Sequence, residues 1–205
     1  MPLQLRLPLN RDTPAGVDEF VRGPSNAAAA ARVLEATWPG GALALVGPRG
    51  SGKSHLARAW AGEKSGPRRI LVEDADRGFD PEALFHLTNL AVRGERHVLF
   101  TARARPVAWP TVLPDLRSRL NALPVVEIAV PDDTVLEGVL RRFFRDRHIR
   151  PPEEVYPYLL ARMPRSIPDA AELVRRLDEA GEEGFKPVTR VLARQILEAQ
   201  GELKL

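Results

Sequence analysis

One octapeptide constrains this chain more than any other stretch. Gly47-Pro48-Arg49-Gly50-Ser51-Gly52-Lys53-Ser54 satisfies G-x-x-x-x-G-K-[ST] at every fixed position. It follows the short apolar run Ala42 to Val46 (ALALV) and opens a helical stretch over 53–61, so the local order is strand, loop, helix. Glycines let the backbone curl until successive N–H groups face one phosphate, and the helix N-terminus adds its partial positive charge. In such a loop Lys53 reaches the β and γ phosphates and Ser54 ligates Mg²⁺.

The rest of the chain supplies the remaining strands. Ile70 to Asp74 (ILVED), His97 to Thr101 (HVLFT) and Val125 to Val130 (VVEIAV) read as buried strands, with helical stretches at 81–93 and 112–121 between them. Short apolar strands separated by helices imply an α/β fold with a parallel sheet covered on both faces. Ahead of it, a run of alanines predicts a helix from Ser25-Asn26 to Thr37, capped by Ser25 or Asn26 and stopped by Pro39-Gly40-Gly41. After Pro131 the pattern is helical throughout, at 132–148, 153–162, 167–180 and 187–199, with breaks at Pro151-Pro152, Pro164, Gly181, Gly184 and Pro187. The expected organisation is therefore an extended tail over 1–19, an α/β base over 20–130 and an all-helical lid over 131–205.

Composition narrows the function classes. The chain has 205 residues and no cysteine, which removes disulfides, thiolate metal sites and cysteine nucleophiles together. No window approaches the ~18 apolar residues of a membrane span, and the N-terminus lacks an uninterrupted apolar segment, so the expectation is a soluble, cytoplasmic protein. The net charge is only +3, and arginines are interleaved with acids. The crowd Arg141, Arg142, Arg145, Arg147 and Arg150 reads as a solvated helix face rather than a nucleic-acid footprint.

A nucleotide site of this kind needs an acid at the end of a neighbouring strand. Ile70-Leu71-Val72-Glu73-Asp74 supplies two, with Glu73 in the position expected to hold the metal and Asp74 in the position that polarises water. The order here, Glu before Asp, differs from the more usual Asp-first order and argues for slow intrinsic hydrolysis.

Several segments together resemble the AAA+ family of the bacterial replication initiator DnaA. Phe20-Val21-Arg22-Gly23-Pro24-Ser25-Asn26 is similar to the segment that packs around adenine in those proteins, and Gly52-Lys53-Ser54-His55-Leu56 looks like their loop and following helix. Leu99-Phe100-Thr101 resembles the sensor I strand, with Thr101 placed to meet the γ-phosphate or the attacking water. Leu113-Pro114-Asp115-Leu116-Arg117-Ser118-Arg119-Leu120 looks like the arginine-finger segment. Gln4-Leu5-Arg6-Leu7-Pro8-Leu9 is similar to the QLSLPL-type peptide with which one branch, the DnaA-regulatory inactivators (Hda), docks on the β sliding clamp. The likeness is close, especially to the α-proteobacterial form of that branch.

The resemblance implies a set of roles. Phe20, Val21, Asn26, residues Gly47 to His55 and Arg165 would contact ADP or ATP, and Ser54 with Glu73 would hold Mg²⁺. Gln4, Leu5, Leu7, Pro8 and Leu9 would bind the clamp. Arg119 would act as an arginine finger on ATP bound to DnaA, with Arg117 the second choice. The sensor II place falls at Pro168 or Asp169, leaving Arg165 as the nearest arginine. DnaA's DNA-reading helix-turn-helix has no counterpart here, and a homo-oligomer is compatible with the fold. Only fifteen residues separate Ser54 from Ile70. The strand and helix that usually intervene there are missing, which predicts a sheet of about four strands. The alternative function is an autonomous AAA+ ATPase such as a helicase loader. A small nucleotide kinase fits the helical lid less well, and a DNA-binding factor without catalysis lacks a reading module.

Overall fold

The computed structural model describes residues 20–35, 37–62, 68–184 and 187–202. The tail peptide Gln4 to Leu9 lies outside the described residues. A parallel sheet of four strands, ordered β2-β3-β1-β4, forms the base. Strand β1 (Ala42–Val46) sits between β3 (His97–Ala102) and β4 (Val125–Glu127), and β2 (Arg69–Val72) pairs with β3 at the edge of the described sheet. All five residues of β1 are buried, which is why it reads as a continuous apolar run rather than an alternating one.

Two strands end earlier than the apolar runs predict. In β2 the extended backbone stops at Val72, because Glu73 and Asp74 enter a turn in which Asp74 takes a left-handed φ of 51°. Asp is one of the few residues that tolerate that region. In β4 pairing stops at Glu127 because its partner β1 ends at Val46 and becomes the glycine loop. The Ile128 N–H donates the last bond of that edge to the Val46 carbonyl at 2.9 Å.

Helices α1 (Ala27–Val33) and α2 (Lys53–Gly62) cover one face of the sheet. Their side packs Phe20, Ala29, Ala30, Val33, Leu56, Ala57 and Trp60 against Leu43, Leu45 and Leu99. Helices α3 (Pro81–Val92) and α4 (Pro114–Ala122) cover the other, where Leu84, Leu116 and Leu120 meet Val98, Phe100 and Trp109. Asp80 caps α3 by accepting from the Glu82 and Ala83 N–H groups, with Pro81 in the first turn.

The start of α1 departs from expectation. Neither Ser25 nor Asn26 caps it through a side chain. The Asn26 amide turns back instead, accepting from Gly23 N–H and donating to the Val21 carbonyl, both at 2.9 Å. The Ser25 hydroxyl accepts from Asp132 N–H at 3.2 Å. Helix α1 also ends at Val33, short of Thr37, and the Leu34 N–H closes it by donating to the Ala30 carbonyl at 3.1 Å.

The remaining helices are α5 (Asp133–Asp146), α6 (Val155–Leu160), α7 (Ile167–Gly184) and α8 (Arg190–Glu202). They bury Val135, Leu136, Leu140, Phe144, Leu159, Leu173, Val174 and Leu177 in a cluster of their own. Helix α7 runs straight through Gly181, where the sequence predicted a break, because its apolar face is committed to that cluster and outweighs the ~1 kcal/mol a mid-helix glycine costs. Of the arginines on and just after α5, Arg141 and Arg145 are exposed and Arg142 and Arg147 half-buried, each near an acid. Arg141 lies between Glu137 and Glu153 at 2.8 and 2.6 Å and over the Tyr156 ring, while Arg147 approaches Asp178 at 3.6 Å. No helix among the described residues is long and apolar enough to cross a membrane.

Candidate nucleotide-binding site

The glycine loop joins β1 to α2 at the C-terminal edge of the sheet, flanked by β3 and β4. Its glycines are required by sterics. Gly50 and Gly52 take φ values of 77° and 95°, which side-chain-bearing residues rarely adopt. A Cβ on Gly47 would lie 2.3 Å from the Ile128 carbonyl oxygen, and one on Gly50 would lie 2.4 Å from Ser166 Oγ. Lys53 is buried, and its Nζ donates to the Gly47 and Pro48 carbonyls at 2.7 and 2.8 Å. Burial pushes the Lys53 ammonium below its ordinary pKa, against the pull of Asp74 and Asp76, and Arg103 pushes in the same direction as burial. The Ser51 hydroxyl is buried and has no hydrogen-bond partner among the described residues. A curled glycine backbone, a buried cation and an unsatisfied hydroxyl in one loop fit a polyphosphate. Pro48, Arg49 and Ser54 are exposed beside them.

Beyond the loop, the two acids that follow β2 diverge. The Glu73 carboxylate accepts from Arg58 Nη2 at 2.9 Å and from Arg58 Nε at 3.2 Å, and its other oxygen is buried without a partner among the described residues. Asp74 and Asp76, not Glu73, are the acids whose charge Lys53 feels. Thr101 is buried at the end of β3, where its Oγ1 accepts from the Asp74 N–H at 3.2 Å and its carbonyl from the Ala75 N–H at 2.9 Å. Thus Lys53, Asp74 and Thr101 are brought together, and Glu73 is turned toward Arg58 on α2.

Sequence reasoning missed Asp76. Its Oδ2 accepts from the Arg103 and Ala104 N–H groups at 2.9 and 3.0 Å, stitching the turn after β2 to the turn after β3. The signal was present as the third acid in Glu73-Asp74-Ala75-Asp76, but a partner 27 residues away is invisible to a motif.

No protein-family model matches the sequence, and no curated protein matches it. Solved structures do. Domain III of the Thermotoga maritima replication initiation protein DnaA matches with a TM-score of 0.77 at 20% identity, over 94% of this chain and 98% of that one. AMPPCP-bound DnaA from Aquifex aeolicus matches at a TM-score of 0.65 and 19% identity, over 82% of this chain and 66% of that one. The Thermotoga maritima RuvB Holliday junction branch migration motor matches at 0.65 and 15% identity, over 90% and 71%. This chain has the AAA+ fold of DnaA domain III.

In the AAA+ frame the segment around Phe20 links base and lid. Phe20 stacks on His55 of α2, with ring centroids 5.8 Å apart, while Val21 packs so closely on α5 that a Cβ on Gly138 would meet it at 2.5 Å. Asn26 is buried and spends both ends of its amide on shaping this loop. Asp132 fastens the loop to the lid by accepting from the Ser25 N–H at 2.6 Å and the Val135 N–H at 2.9 Å. Burial alone would raise the Asp132 carboxyl, but those two N–H donors and the Ser25 hydroxyl hold it below its ordinary pKa.

On the lid side, the Ile167 N–H donates to the Gly50 carbonyl at 3.0 Å, seating the start of α7 on the glycine loop. Arg165 is engaged elsewhere. Its Nε donates to the Pro131 carbonyl at 3.0 Å and its Nη2 pairs with Asp133 at 2.7 Å, so it clamps the base–lid connection. Among the two finger candidates on α4, Arg117 is committed, donating to the Val107 and Trp109 carbonyls at 2.8 and 2.7 Å. The Arg119 guanidinium lies over the Phe85 ring at 5.3 Å, and among the described residues no carboxylate pairs with it.

Lys53→Ala is expected to weaken ADP binding by about 30- to 150-fold, the equivalent of roughly 2–3 kcal/mol for charge-assisted hydrogen bonds. Titration calorimetry on the two proteins measures it. Affinity within about threefold of wild type would remove the phosphate assignment.

Proposed function

We propose that this chain is a replication regulator related to DnaA. It binds ADP or ATP in its own glycine loop, docks on the β sliding clamp through Gln4 to Leu9, and stimulates ATP hydrolysis on DnaA by supplying Arg119 in trans. The observation that carries this reading is the contrast on α4. Arg117 is spent on two backbone carbonyls, whereas Arg119 keeps its guanidinium on an aromatic face, with its donors free of any described carboxylate. A guanidinium held that way can be transferred to a phosphoryl group without first breaking a salt bridge.

Adenine nucleotide is supported by the fold's likeness to AMPPCP-bound DnaA and by the fit of the loop to a polyphosphate. For Mg²⁺, Ser54 with one strand-end acid would hold the ion, which offsets phosphate charge when bound. Arg58 on Glu73 favours Asp74 for that place and argues for slow turnover of the chain's own nucleotide. The nucleotide then serves as an organiser between base and lid, consistent with the Gly50–Ile167 contact. Clamp tethering adds effective concentration near the initiator and couples its inactivation to ongoing synthesis. Such a regulator works in the cytoplasm.

The tether is tested by binding of the purified chain to the β clamp of the same organism. In Gln4-Leu5-Arg6-Leu7-Pro8-Leu9, Pro8 favours an extended backbone and Leu7 with Leu9 fills apolar pockets. Substituting Leu7 and Leu9 together by alanine is expected to abolish binding without lowering the melting temperature. Wild-type protein that ignores the clamp, or a double variant that still binds it, would overturn the tether.

A further inference from the structure

The edge of the sheet opposite the glycine loop carries a second concentration of positive charge, assembled from two distant stretches. The parallel register pairs Arg69 with His97, so Arg68 and Arg96, one residue earlier on each strand, lie side by side. The His97 N–H donates to the Arg68 carbonyl at 2.8 Å and fixes that alignment. Both arginines are exposed. Arg96 donates only to the carbonyl of its neighbour Glu95, at 3.1 Å, and among the described residues no carboxylate pairs with Arg68. Arg93, 71% exposed, approaches Glu95 no closer than 3.9 Å.

The opposite face of these strand ends is fixed. Trp38 and Trp60 stack with ring centroids 5.1 Å apart, the His97 ring meets Trp38 edge-on at 6.5 Å, and the Arg69 guanidinium covers Trp60 at 5.1 Å. Facing like charges on neighbouring strands destabilise a sheet. The contrast with the lid is informative, since Arg141 and Arg175 each sit between two glutamates. At this rim Arg68, Arg93 and Arg96 are exposed and meet one described acid, Glu95.

We infer that this rim binds the sugar–phosphate backbone of duplex DNA. Guanidinium forks match phosphate oxygens bidentately, and neighbouring strands ~4.8 Å apart launch two of them together. A lipid surface fits less well because the two tryptophans here are 5% and 2% exposed and have no ring to insert. The contacts are to phosphate alone, so binding is independent of sequence and sensitive to salt. Because the rim lies at the N-terminal ends of the strands, DNA there leaves the glycine loop accessible. The inference does not depend on the clamp, on DnaA or on Arg119.

The test uses the full chain and a fluorescein-labelled duplex of arbitrary sequence, followed by anisotropy between about 50 and about 200 mM salt. Arg68→Glu with Arg96→Glu is expected to weaken binding at least about tenfold and to flatten the slope of log K against log salt by about 1.8, for two lost phosphate contacts. A control with the same net charge, Arg145→Glu with Arg194→Glu on exposed lid positions, is expected to keep the wild-type slope. Unchanged ADP affinity in both double variants reports that the fold is intact. Equal losses in the two double variants would assign the effect to net charge and overturn the rim. So would absence of DNA binding by the wild type, or binding only to phosphatidylserine vesicles.

Discussion

Arg119→Ala is expected to lower stimulated hydrolysis of DnaA-bound ATP by about 10³-fold or more, because an arginine supplied in trans stabilises charge on the transferring phosphoryl group. Single-turnover hydrolysis with clamp loaded on DNA measures it. The variant should bind clamp and ADP as the wild type does, since Arg119 makes no described ion pair and contributes only a cation–π contact to Phe85. Arg119→Lys restores the charge but not the planar fork, so it should recover little of the rate. Arg117→Ala serves as the contrast. It removes two donors to the Val107 and Trp109 carbonyls and should lower the melting temperature as well as the rate. Wild-type stimulation by Arg119→Ala would move the finger elsewhere on the surface. Substantial hydrolysis by this chain without DnaA would favour the autonomous ATPase.

The parts of this molecule that were legible in the sequence are those encoded locally. The glycine loop needs only its own residues to specify positive φ at Gly50 and Gly52, and β1 announces itself because all five positions are buried. The four-strand sheet followed from the short spacing between Ser54 and Ile70. What was not legible depends on pairs far apart in the chain. The apolar run through Asp74 cannot report that Thr101 and Asp76 bend the backbone after Val72. Ser25 and Asn26 look like helix caps until Asp132, 107 residues on, claims Ser25. Glu73 looks like a metal ligand until Arg58 reaches it from α2. The rim arginines stay hidden for the same reason, since only the β2–β3 register brings 68 beside 96.

Trp109→Ala should be the most destabilising single change among those considered, costing about 3–5 kcal/mol. The side chain is 1% exposed and meets Phe100 of β3 edge-on, with centroids 5.9 Å apart. Its Nε1 donates to the Ala104 carbonyl at 2.8 Å, a bond that alanine leaves unmade. The same residue lends its own carbonyl to Arg117 and packs with Leu116 and Leu120, so it seats α4 on the sheet. For a chain of this length the loss corresponds to a fall in melting temperature of about 6–20 °C, readable by circular dichroism. Trp109→Phe keeps most of the buried area and loses the N–H donor, so its fall should be less than half as large. A drop of under about 2 °C in the alanine variant would mean that α4 is held by its leucines alone. With the larger drop, a protein kept below its transition should also lose stimulation of DnaA while retaining ADP, because the helix bearing Arg119 loses its seat and the glycine loop does not.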